Sequence, residues 1–202
     1  MNMAVDLPLM EAFYTVQGEG VHAGKAAYFI RLAGCDVGCV WCDVKESWDA
    51  SGYPRVSVAQ MAEDAQASGA NLVVITGGEP ALYDLTALCD ALHDRGMAVH
   101  IETSAAHEIR GQFDWVTLSP KKFKAPLPTE LSKADELKII VFNKSDFEWA
   151  ETYAGQVSND CVLLLQPEWD KRDSMAPMLV EYVKTHPQWR ISLQTHKILQ
   201  IP

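Results

Sequence analysis

The sequence predicts an α/β fold, an open and incomplete (β/α) barrel of about six parallel strands. Three observations predict it. Short apolar runs alternate with helical patterns along the chain, as strand–helix repeats around a parallel sheet do. The runs are rich in Val, Ile and Leu and do not alternate cleanly with polar residues, as expected of strands covered on both faces. Polar clusters also recur at the C-terminal ends of the runs, where reactive groups gather in such folds.

The runs are residues 28–33, 72–75, 98–101, 115–118, 137–142, 162–165 and 190–193. Six or seven strands fall short of the eight of a closed barrel. A helix is expected over 58–68, after a possible capping box of Ser57 with Gln60, ending at Gly69. A second covers 84–95 and stops at Gly96. Its stripe of Leu85, Leu88, Cys89 and Leu92 points to the core. Residues 147–153 form a short helix, and 174–185 a longer one ending before Pro187. Residues 121–132, with Pro126 and Pro128, read as an irregular loop. The rim clusters are Arg31 with the cysteines after it, Thr76 to Pro80, Glu102-Thr103-Ser104, Ser119-Pro120-Lys121, Gln166-Pro167-Glu168 and Gln194-Thr195-His196. So many polar clusters on one rim make a pocket.

With 202 residues, 48% apolar and 22% charged, the chain reads as one ordinary globular domain spanning 1–202. Its formal charge of −10 lacks the basic footprint of a nucleic-acid binder. No run of about 18 apolar residues suggests a membrane span, and Met1-Asn2-Met3-Ala4 carries no leader signal. A cytoplasmic location is expected. Five cysteines without a disulfide-rich pattern fit a reducing compartment. Cys89 and Cys161 read as small core hydrophobes.

Cys35, Cys39 and Cys42 are different, because they form a CxxxCxxC motif on the loop leaving the first run. Three thiolates are too few for a closed structural zinc site and one short of a closed iron–sulfur cluster. A cubane on three cysteines leaves one iron open to a ligand. A zinc knuckle with a distant fourth ligand, or three unrelated thiols, are the plainer readings. Gly38 allows a tight loop, and Val40 and Trp41 could shield a cluster from water. Thr76-Gly77-Gly78-Glu79-Pro80 follows the second run, its glycines suited to close backbone approach to a ligand. Thr15-Val16-Gln17-Gly18-Glu19-Gly20 reads as a flexible loop or a glycine-rich hairpin turn.

The CxxxCxxC loop resembles that of the radical S-adenosylmethionine (SAM) superfamily, which implies a 4Fe–4S cluster with SAM chelating its open iron. Residues 13–20, Arg31-Leu32-Ala33-Gly34-Cys35, Trp41-Cys42-Asp43, Thr76 to Pro80, Ser119-Pro120-Lys121 and Gln194-Thr195-His196-Lys197 occur in one order. Together they resemble the 7-carboxy-7-deazaguanine synthase family over nearly the whole chain. The resemblance implies radical ring contraction of 6-carboxy-5,6,7,8-tetrahydropterin to 7-carboxy-7-deazaguanine with loss of ammonia, on the route to queuosine. It also implies a homodimer and an electron donor such as flavodoxin.

Carried over by motif, substrate contacts fall on Val16, Gln17, Gly18, Arg31, Thr76 and the carboxylate of Pro202. Cofactor contacts fall on Gly78, Glu79, Ser119, Pro120, Lys121, Gln166, Pro167, Glu168 and Trp169. Glu19 is added for the guanidine-like edge of a pterin, and Arg31 offers a planar fork for its carboxylate. His196 is read as orienting the C-terminal segment or as a structural histidine. Many members carry a threonine after the Cys-Asp pair, and its hydroxyl helps bind Mg²⁺. Here Val44 stands there, which puts Mg²⁺ in doubt because that cation demands oxygen donors. Rival readings are an activating protein for glycyl-radical enzymes and a zinc-binding interaction module.

Overall fold

Each of the seven apolar runs becomes a strand, and all seven lie parallel. A computed structural model describes residues 5–202; the segment 1–4, where no leader signal is read, lies outside the described residues. The parallel strands are β2 (Ala26–Leu32), β4 (Leu72–Gly77), β5 (Ala98–Thr103), β6 (Trp115–Leu118), β7 (Glu136–Val141), β8 (Val162–Pro167) and β9 (Trp189–Ile191). The parallel count is therefore seven, the upper of the two figures expected.

Two strands come in addition, β1 (Asp6–Val16) and β3 (Arg55–Ser57), both antiparallel to their neighbours. The sheet order is β3-β1-β2-β4-β5-β6-β7-β8-β9. With β3 and β9 at its two ends, the sheet is open. β1 escapes a pattern search because it is mostly partly or fully exposed, carries Pro8, and shifts register between Leu9 and Glu11.

The connecting helices are α1 (Val58–Ala67), α2 (Thr86–His93), α3 (Ser145–Ala154) and α4 (Arg172–Thr185), with a short α5 (Thr195–Leu199) that the apolar pattern does not announce. Ser57 Oγ accepts from the Gln60 N–H at 3.2 Å. The Gln60 side chain turns to Asp64 instead, so only half of the capping box forms. α2 starts two residues later than predicted because Asp84 accepts the Thr86 N–H at 3.0 Å and ends the preceding turn. Residues 121–132 are largely irregular, with a 3₁₀ turn at Pro128–Lys133.

Strand alternation separates core from pocket. On β7, Leu137, Ile139 and Val141 are fully buried in the main core, with Ala150 and Tyr153 of α3. Lys138 and Ile140, on the other face of that strand, line the barrel interior. Deeper inside, Ala27, Phe29, Leu72 and Val74 form a second apolar cluster. Cys89 and Cys161 are both buried, as expected. No helix among the described residues is long and apolar enough to cross a membrane.

Candidate active site

β2 delivers the cysteine loop to the rim. Gly34 turns the chain at φ +104°, donating to Ser47 O at 2.6 Å, and Cys35 N donates to Trp48 O at 3.1 Å. The Thr76–Pro80 segment locks against the same loop. Gly78 N donates to Leu32 O at 2.9 Å and Glu79 N to Gly34 O at 2.8 Å. A Cβ on Gly77 or Gly78 would run into the backbone of Leu32 or Gly34. The paired glycines thus let two chain segments interlock, a use beyond the ligand approach expected from sequence.

Glu79 is almost wholly buried. Its carboxylate accepts from the hydroxyls of Thr103 and Ser104, from Ser104 N at 2.9 Å and from Ala81 N at 3.0 Å. It ties the end of β4 to the end of β5. Asp36, inside the cysteine motif, is clasped by His107 Nε2 at 2.9 Å and Lys124 Nζ at 2.7 Å. Trp41 meets Phe123 edge-on at 6.1 Å and lies beneath Lys121 Nζ. Val40, expected as a shield, is turned to solvent, 65% exposed.

The three thiols fit a cluster. Burial pushes Cys39 up to about 11 and raises Cys35, so metal binding must displace their protons. Gly38, at φ +74°, takes a left-handed turn that favours glycine within the loop. Among the described residues, no three His, Cys, Asp or Glu side chains gather around one point to hold a single ion. A cubane instead takes its thiolates on separate irons. The fit to Mg²⁺ is poor. Val44 lines the cavity without an oxygen donor on its side chain, and Asp43 is held by Lys197 Nζ at 2.6 Å.

Inside the barrel mouth lies a buried charge network. Lys138 Nζ donates to Glu19 Oε2 at 2.5 Å, and Gln194 Nε2 to Glu19 Oε1 at 2.8 Å. Gln17 Nε2 donates to Glu102 Oε1 at 2.9 Å. Burial alone would raise the Glu19 carboxyl, but Lys138 outweighs it and holds the group near 2. Burial likewise opposes the Lys138 charge, yet Glu102, Glu19 and Glu136 keep its pKa above the ordinary lysine value. Lys121 is lowered, chiefly by burial, and donates to Ser119 O at 2.7 Å.

The C-terminal segment straps this network down. Thr195 donates to Gly18 O through N at 2.9 Å and Oγ1 at 2.8 Å. The His196 ring occupies the space a side chain on Gly18 would need. Thr15 Oγ1 donates to Pro202 O at 3.4 Å. Arg31 Nε donates to Glu11 Oε1 at 2.7 Å, leaving its Nη pair available.

One cavity is lined by Val16, Gln17, Gly18, Glu19, Arg31, Cys35, Cys39, Cys42, Thr76, Gly78, Glu79, Ser119, Lys121, Gln166, Pro167, Glu168, Trp169 and Pro202. Pro120 is the exception: it is buried and does not line the cavity. Sequence reasoning missed Lys138 and left Glu102 unassigned. A lysine within an otherwise apolar strand was the available signal for the first. Glu102 stood in a rim cluster without a role.

Comparison with known proteins agrees with this geometry. The Radical SAM superfamily profile matches residues 29–121. A 7-carboxy-7-deazaguanine synthase of Flavobacterium psychrophilum is 52% identical over 97% of this chain and 93% of its own. The Synechocystis sp. protein of that name is 46% identical over 98% and 95%, respectively. The crystal structure of QueE from Escherichia coli superposes with a TM-score of 0.84 at 34% identity, covering 94% of each chain. With relatives this similar along almost its full length, the chain belongs to the 7-carboxy-7-deazaguanine synthase family of radical SAM enzymes.

Proposed function

We propose that this chain is a radical SAM lyase that contracts the ring of 6-carboxy-5,6,7,8-tetrahydropterin to give 7-carboxy-7-deazaguanine and ammonia, in queuosine biosynthesis. The observation that carries the reading is the interlock of the cysteine loop with the Thr76–Pro80 segment over a cavity that also holds Arg31 and the Glu19–Lys138 network. When bound, the cluster and SAM supply the one-electron chemistry that starts and ends the rearrangement.

The residues divide the remaining work. Cys35, Cys39 and Cys42 hold the cluster. Gly78, Ser119, Lys121 and residues 166–169 embrace SAM, with Glu79 fixing the segment that faces it. Gln17, Gly18 and Thr76 meet the pterin ring. Arg31 directs its Nη atoms to the substrate carboxylate, while Glu11 holds Nε from outside. Glu19 accepts from the amino edge of the pterin, with Pro202 in the same cavity wall. The strap formed by α5 keeps water from the mouth. We further propose a cytoplasmic homodimer reduced by a flavodoxin-like donor.

The test is turnover of 6-carboxytetrahydropterin by anaerobically reconstituted protein. Product and ammonia should form together, and Cys39→Ala should lose both the brown chromophore and turnover. Full activity with an intact chromophore in that variant would refute the cluster assignment.

A further inference from the structure

Two cations line the cavity, each paired with an acid. Arg31 and Lys197 are mostly buried, with side chains 20% and 22% exposed, yet each is gripped by a far more exposed acid, Glu11 at 47% and Asp43 at 56%. Glu11 stands outside the cavity wall, whereas Asp43 lines the cavity beside Val44, and both cations line the interior. Lys197 Nζ also lies 5.2 Å from the centre of the Trp169 ring, which fixes it from another direction. Beside Asp43 stands Val44, which lines the same cavity and offers no oxygen to a metal. The place where a divalent cation would need a hydroxyl therefore has a methyl group next to a protein ammonium.

We propose that Lys197 supplies the second positive charge at the substrate carboxylate, so that this chain binds its substrate through Arg31 and Lys197 and needs no divalent cation. This rests on the reading of the substrate given above. An ammonium is a compact charge with three donors. One donor is spent on Asp43, and the others remain for a carboxylate. The arrangement selects substrates by their carboxylate, because a neutral substituent there would leave the remaining N–H donors of both cations without an acceptor.

The test uses reconstituted, SAM-loaded wild type and Lys197→Met, titrated anaerobically with 6-carboxytetrahydropterin and with 6-methyltetrahydropterin, in chelator or in Mg²⁺. Wild type should bind the carboxylated pterin equally well in both buffers. Lys197→Met should lose about 10- to 100-fold for it, the range of a charge-assisted hydrogen bond. Binding of the methyl pterin should stay nearly unchanged, and Lys197→Arg should recover part of the loss. Circular dichroism and cluster absorbance identify a variant that merely misfolds, and Lys197→Arg then carries the comparison. A tenfold tightening of wild type by Mg²⁺, or equal losses for the two pterins, would overturn the assignment. Failure of wild type to bind either pterin would overturn the substrate reading itself, and this assignment with it.

Discussion

Lys138 Nζ and Glu19 Oε2 meet at 2.5 Å inside the barrel mouth, one from β7 and the other from the loop between β1 and β2. Both side chains are largely shielded, at 5% and 15% exposure, so neither charge can fall back on water. The pair fastens the loop between β1 and β2 to a strand more than a hundred residues away.

Removing Lys138 should therefore cost more than removing both partners. Lys138→Met leaves Glu19 buried and unpaired, a loss of about 3–5 kcal/mol. The double variant Lys138→Met/Glu19→Gln should recover much of it. A double-mutant cycle by urea unfolding measures the coupling; additive losses would show that the pair is not coupled. The Glu19 pKa is depressed to about 2 from 4.5. Its stabilisation is therefore complete above about 4.5 and lost as pH falls towards 2.

Glu79 makes a contrasting case. Four protein groups donate to its carboxylate, so Glu79→Gln must turn an amide N–H towards a donor. The apo protein should lose about 1–3 kcal/mol of stability, before any cofactor is added. An unchanged apo melting temperature would mean that Glu79 serves a ligand alone.

These two residues show what the sequence could and could not reveal. Glu79 sits in a short contiguous motif, so its place on the rim was legible, but its four partners come from residues near and far in the chain. Lys138 lies in an apolar run with no motif to mark it; only the alternation of β7 turns it inward. The parallel strands were legible because two-sided burial makes them uniformly apolar. β1 was not, because much of it is exposed and its register shifts. Charge pairs such as Asp43–Lys197, 154 residues apart, leave no local pattern.

Arg31 should discriminate between the two ligands. Arg31→Ala is expected to weaken pterin binding by about 2–5 kcal/mol and leave SAM binding nearly intact, measured by titration of the reconstituted protein. Arg31→Lys should rescue only partly, since an ammonium cannot hold Glu11 and span a carboxylate with a planar fork. Equal losses for pterin and SAM would mean that Arg31 supports the site generally.

The barrel floor should carry a separate acid sensitivity. His100, 9% exposed, has its ring centre 4.6 Å from that of His22, which lies 4.6 Å from Trp115. Burial first, then the His22 charge, lowers His100 to about 4 from 6.5; burial also lowers His22. Below 6.5 the unfolded chain takes a proton that the folded chain refuses. The sign follows: stability is full above about 6.5 and falls as pH drops towards 4, by up to roughly 3 kcal/mol for a shift of this size. This window lies mostly above that of Glu19, so the two can be separated. His100→Leu should flatten the loss between pH 7.5 and 5 while leaving the decline set by Glu19 below 4.5. Urea midpoints at these pH values decide it. A variant whose midpoint falls as far as the wild type's over that interval would place the acid sensitivity elsewhere.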